Sequence, residues 1–250
     1  MRQLKAVWLR VSLVLAFSVF NTICSGEILS VPFEGGTIPT AAWMGKNTKA
    51  VLIFVPGGNG KFDIASRNPA KPIWILPQIG EQGIDVVLMD SEESLGERDL
   101  SPRRTSEHVR KIAAVAQFYR KKANRPVFLL GHSNGAISIA EFLNQSPDNQ
   151  KLIAGAIFSG SRNETELTAK VNLRVLIMHH EEDPNFYTKP EYAEQLFLNV
   201  KRLNGAKTTY SLVHGGFNEG NPATSGRHMY AGSQAEAARI ASSFILGGGR

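Results

Sequence analysis

One cysteine, Cys24, is the entire thiol content of this 250-residue sequence. A disulfide-stapled scaffold is therefore excluded, and the chain has to hold itself together with an apolar core. Long apolar runs are scarce too: Val11 to Phe20 (VSLVLAFSVF) is about half of the roughly 20 residues that a membrane-spanning helix needs. There is no internal repeat and no low-complexity tract, and charged residues, at 20%, are close to the globular average, which argues against disorder. No phosphate-binding loop, dinucleotide fingerprint or specific metal-ligand spacing occurs, so neither an organic cofactor nor a metal is expected.

What is present begins with the first 26 residues. Arg2, Lys5 and Arg10 precede the apolar run, and Asn21 to Gly26 (NTICSG) is small and polar. This is the layout of a secretory signal peptide, with cleavage expected after Gly26 and a periplasmic or secreted destination. Cys24 would leave with it, so a thiol nucleophile is ruled out on this reading. Lipidation at Cys24 is the alternative, weakened by the bulky Ile23 where a lipobox usually has a small residue. The formal charge of +6, from 28 Lys and Arg against 22 Asp and Glu, falls to +3 without the leader. A nucleic-acid partner is thus not expected, and neither is a stable membrane anchor.

Residues 27–250 read as one domain. Hydrophobic residues are 42% of the sequence, enough for one sizeable core. Ile28 to Phe33 and Thr37 to Met44 look like a hairpin around Gly35-Gly36. Ala50 to Val55 (AVLIFV) is a β-branched and apolar run stopped by Pro56, the pattern of a strand buried on both faces. Similar runs follow at Ile84 to Met89, Pro126 to Leu130, Leu152 to Phe158, Leu173 to Met178 and Thr208 to Val213. Helical patterns lie between them, at Glu107 to Lys122, Ala136 to Leu143, Pro190 to Leu203 and Ser233 to Leu246. Alternating strands and helices predict an α/β domain with a mostly parallel sheet covered on both faces. In such sheets ligands collect at the carboxyl ends of the strands. The sequences PGGNG, GHSNG, HHEEDPN and HGG all fall at those ends.

Gly131-His132-Ser133-Asn134-Gly135 stands between an apolar strand and a small-residue helix, the context of a G-x-S-x-G nucleophile elbow. A serine hydroxyl needs a base to take its proton and donors for the oxyanion that forms. Asn134 opens a helix, where backbone amides are unsatisfied and the dipole favours negative charge. On these residues the chain resembles the α/β-hydrolase superfamily of serine hydrolases, over essentially all of 27–250. The resemblance implies a triad in the order Ser, Asp, His, and an oxyanion hole shared between the Asn134 amide and one from the loop after an early strand. Gly58 or Asn59 is the candidate there, in a loop that has Pro56 where this family often has histidine.

The acid is expected in His179-His180-Glu181-Glu182-Asp183-Pro184-Asn185, with Asp183 preferred and Glu182 next. The same stretch could bind a cation, but adjacent histidines on an extended chain point to opposite faces. His228, before the closing helix, fits the family's base, with His214 as second choice lining the pocket or bonded to the loop 217–227. His132 is expected to be structural and turned away from the face that Ser133 presents. His179 is expected to be partly buried, and His180 or Glu181 solvated. His108 reads as a surface helical residue, and the mixed-charge stretch 91–104 as a solvated loop. Residues 159–172, between two strands, are too few for a large lid domain. The expected substrate is a small-molecule carboxylic ester, with an amide or peptide substrate, or a non-catalytic binding module, as alternatives.

Overall fold

The computed structural model describes residues 26–66, 74–221 and 225–247. Cys24 and the leader expected at 1–26 lie outside the described residues, Gly26 excepted. Eight strands form one sheet: β1 (Glu27–Phe33), β2 (Gly36–Trp43), β3 (Ala50–Val55), β4 (Ile84–Met89), β5 (Val127–His132), β6 (Gly155–Ser159), β7 (Arg174–His180) and β8 (Thr208–Val213). Their order across the sheet is β1-β2-β4-β3-β5-β6-β7-β8. The β1–β2 hairpin is antiparallel and joins β4 antiparallel, and every pairing from β4 through to β8 is parallel.

The helices are α1 (Leu76–Glu81), α2 (Ser106–Ala123), α3 (Asn134–Gln145), α4 (Pro147–Gln150), α5 (Pro190–Asn204) and α6 (Gln234–Leu246). The period-2 alternation of β3 separates two cores. Val51, Ile53 and Val55 face one core with Val109, Ile112 and Tyr119 of α2, Ile139 and Phe142 of α3 and Leu196 of α5. Leu52 and Phe54 face the other with Leu76 and Ile79 of α1 and Ala237, Ala241 and Ile245 of α6. A strand whose side chains are all buried has no polar face to show, which is why AVLIFV is unbroken. The six-residue α1 is too short to announce itself by periodicity.

Helix α2 is capped as its sequence suggests, with the Thr105 hydroxyl accepting from the His108 amide at 3.2 Å. Asn124, in the left-handed region, ends it. No helix interrupts the connection from β6 to β7. The carboxyl ends of β3, β5, β6 and β7 lie side by side in the parallel part of the sheet, and the loops that leave them build the site.

Candidate active site

Ser133 follows β5 with φ 55° and ψ −122°, a conformation that costs a non-glycine residue roughly 1–3 kcal/mol. It is kept there by backbone contacts. The Ser133 amide donates to Ser159 O at 2.9 Å, and its carbonyl accepts from the Ala136 amide at 3.0 Å. A Cβ on Gly135 would come within 2.1 Å of Val55 O, and one on Gly131 within 2.3 Å of Gly135 O. The elbow packs strand, turn and helix backbone together at distances only glycine allows. Ser133 itself is partly exposed.

The loop after β3 presses on this elbow. A Cβ on Gly57 would lie 2.9 Å from Ser133 Cβ and 3.5 Å from the Asn134 amide nitrogen. The Asn134 side chain ties the two loops together, donating from Nδ2 to Gly58 O at 2.8 Å and to Glu97 O at 3.0 Å. The Gly58 and Asn59 amides donate to no acceptor among the described residues. Asn59 instead accepts the Lys61 amide on Oδ1 at 3.0 Å and the Leu95 amide on its carbonyl at 2.7 Å.

Asp183 and His228 meet at the far side. Nδ1 of His228 lies 2.7 Å from Oδ2 of Asp183, with both side chains 1% exposed. The same carboxylate accepts the Thr188 hydroxyl at 2.9 Å and, on Oδ1, the Asn185 amide at 2.9 Å. His179 Nε2 is 3.4 Å away and donates to Thr188 O at 2.8 Å. Burial pushes the Asp183 carboxyl up, but hydrogen bonds from His179 and His228 outweigh it and hold the group well below the usual carboxylate range. A carboxylate that stays ionised fixes the Nδ1–H tautomer of His228 and leaves Nε2 free to take a proton.

His228 sits in a 3-10 turn (Gly226–Met229). Its ring lies 4.7 Å from that of His132, the residue before Ser133. His132 is thus not turned away from the site, as expected, but packed against it. Trp74 covers its ring at 4.5 Å and donates Nε1–H to Met229 O at 2.9 Å, closing the aromatic wall behind His228. His132 Nδ1 is 3.1 Å from Ser159 Oγ, which is 2.8 Å from the Tyr230 hydroxyl. Burial, and next the neighbouring His228, push the His132 imidazole well below its ordinary pKa, so it is neutral.

The second-choice base, His214, stands apart: its side chain is 57% exposed and Nδ1 pairs with Glu181 at 2.8 Å. It neither lines the site nor approaches Asp183. Glu182 likewise turns outward, to Arg227 at 2.6 Å. His179 is fully buried where partial burial was expected, and of His180 and Glu181 it is Glu181 that is exposed, with His180 fully buried. The two histidines point differently: His180 donates from Nε2 to Gly215 O at 2.7 Å and accepts the Glu182 amide on Nδ1 at 3.0 Å, lacing the acid loop to the loop after β8. His108 is buried as well, and so is Arg103, in the stretch expected to be solvated.

No protein-family model matches the sequence, and no curated protein does. Solved structures do resemble the fold. A dienelactone hydrolase from Anabaena variabilis superposes with a TM-score of 0.61 at 10% identity, covering 89% of this chain and 97% of its own. Est1E from Butyrivibrio proteoclasticus gives 0.61 at 14% identity, over 89% of this chain and 98% of its own. An α/β serine hydrolase without a lid from Xanthomonas campestris gives 0.58 at 11%, over 88% and 94%. The chain therefore has the α/β-hydrolase fold, with no lid domain between β6 and β7.

Proposed function

We propose that the protein is an exported serine hydrolase that cleaves small carboxylic esters through an acyl-enzyme on Ser133. Ser133 Oγ attacks the ester carbonyl carbon while its proton passes to Nε2 of His228. The carbonyl oxygen becomes an oxyanion, held by the amides of Asn134 and Gly58. Gly58 is preferred to Asn59 because the preceding residue, Gly57, lies against Ser133 Cβ and the Asn134 amide. The tetrahedral intermediate collapses, and the departing alkoxide takes the proton from His228. Water then attacks the acyl carbon, gives a proton to His228, and the acid leaves as Ser133 regains its own. Asp183 stays ionised throughout and stabilises the imidazolium.

The observation that carries this reading is the buried His228–Asp183 pair at 2.7 Å, on the same sheet end as a serine in a strained turn. The solved structures that resemble the fold include an esterase from an Arctic intertidal metagenomic library and an arylesterase, which favours the ester reading. An acylaminoacyl peptidase from Pyrococcus horikoshii is also among them. A fluorophosphonate probe tests the nucleophile: it labels Ser133 in the wild type and nothing in Ser133→Ala, and a folded protein that never labels sinks the reading. Hydrolysis of p-nitrophenyl esters against matched anilides decides between ester and amide. Export is tested by N-terminal sequencing of the protein from its native cells, where Glu27 is the expected first residue.

A further inference from the structure

Arg103 is fully buried, and among the described residues no carboxylate lies within ion-pairing distance of it. Its acceptors are neutral: Nη1 donates to Pro56 O at 3.0 Å and Ser138 Oγ at 3.0 Å, and Nη2 to Gly57 O at 3.3 Å and Gly58 O at 2.9 Å. An isolated buried cation is costly to fold around, so a role that only a cation serves has to explain it. Burial, and then the charge of Arg162, lower its pKa to about 10, which leaves it charged at neutral pH.

The geometry points to Arg103 as the positioning residue of the oxyanion loop. This inference rests on the hydrolase reading. In a trans peptide the C=O and N–H point in opposite directions. The carbonyl of Gly57 shares its peptide with the amide of Gly58, and that of Gly58 with the amide of Asn59. Drawing the Gly57 oxygen onto the guanidinium aims the Gly58 N–H away from it, on a peptide whose Gly57 lies against Ser133 Cβ and the Asn134 amide, while the Gly58 oxygen is held jointly by Arg103 and the Asn134 side chain. A cation on the oxygen side also polarises each peptide and strengthens its N–H as a donor. The clamp reaches the helix after Ser133 through Ser138 of α3, whose oxygen accepts from Arg103 and lies 2.9 Å from His108 Nε2. His108 is neutral, its pKa lowered to about 3 by burial and then by Arg103, so it adds no second charge beside the guanidinium.

The test compares Arg103→Met, Arg103→Lys and Ser138→Ala on a p-nitrophenyl ester, with kcat and KM separated and with affinity for a trifluoromethyl ketone that forms a tetrahedral adduct. Arg103→Met is expected to lose roughly 100-fold in kcat, as when an oxyanion donor is lost, with KM nearly unchanged and ketone affinity falling in parallel. Arg103→Lys recovers part of both, and Ser138→Ala lowers kcat severalfold. A merely structural residue would lower the melting temperature and leave kcat of the folded enzyme and ketone affinity intact, and that result overturns the proposal. If Arg103→Met does not fold, the other two variants decide it, and unchanged kcat in both is the overturning result. A wild type that neither labels nor hydrolyses esters overturns the hydrolase reading and this one together, whereas an active wild type with an undiminished Arg103→Met overturns this one alone.

Discussion

His228 and Asp183 share a hydrogen bond of 2.7 Å from which solvent is excluded on both sides. Replacing Asp183 with Asn keeps the size and the Asn185 contact but removes the charge that selects the His228 tautomer. Such a loss costs about 10,000-fold in kcat. Steady-state kinetics on a p-nitrophenyl ester should show it in kcat, with KM changed little.

The two candidate histidines separate cleanly. His228→Ala should abolish turnover, while His214→Ala, which removes an exposed partner of Glu181, should leave kcat/KM near wild type. Exposed ion pairs of this sort contribute little. A dead His214→Ala beside an active His228→Ala would reverse the assignment.

Ser133→Ala and Ser133→Gly should both be inactive yet differ in stability. Alanine retains the strain of φ 55° and glycine relieves it. After glycine's own entropic cost, the Gly variant should be more stable by about 1 kcal/mol in urea unfolding. Equal midpoints would mean that the elbow is not strained.

Gly57→Ala should act on chemistry more than on folding. The new methyl would stand 2.8 Å from His132 O and 2.9 Å from Ser133 Cβ, displacing Ser133 relative to the Asn134 and Gly58 amides. Misplacement on the order of 1 Å costs about 100-fold. The expected result is a kcat loss of that size with near-native circular dichroism.

Acid should destabilise the fold through His108. Its pKa of about 3 in the folded chain lies below the ordinary 6.5, so the unfolded chain binds more protons between those values. Stability therefore falls as the pH drops from about 6.5 toward 3, by up to ~1.4 kcal/mol per unit for this one group. His108→Gln should flatten that slope in urea titrations at pH 4 to 7, and an unaltered slope would exonerate His108.

The inner strands of the sheet were legible because each is a largely apolar run closed by turn residues, and AVLIFV and IDVVLM have the predicted bounds. GHSNG was legible from its setting between strand and helix. Choosing His228 over His214 took the family's order of elements, since one sequence does not say which loop folds back over β5. His108 could have been found: it lies four residues before Ile112 on the buried stripe of α2. Arg103 could not. Its partners are backbone carbonyls 45 to 47 residues away and the Ser138 hydroxyl 35 residues on, and nothing in SPRR distinguishes an arginine that turns inward from Arg104 beside it, which pairs at the surface with Glu141.

The glycine contacts around Ser133 carry a consequence for temperature. Ser133 is registered by main chain lying on main chain, Gly135 against Val55 and Gly131 against Gly135, so its place is set by central strands rather than by a loop. Warming cannot loosen it while β3 and β5 remain paired. Heat inactivation should accordingly coincide with cooperative melting of the whole sheet, without an earlier phase in which a folded protein has already lost its activity.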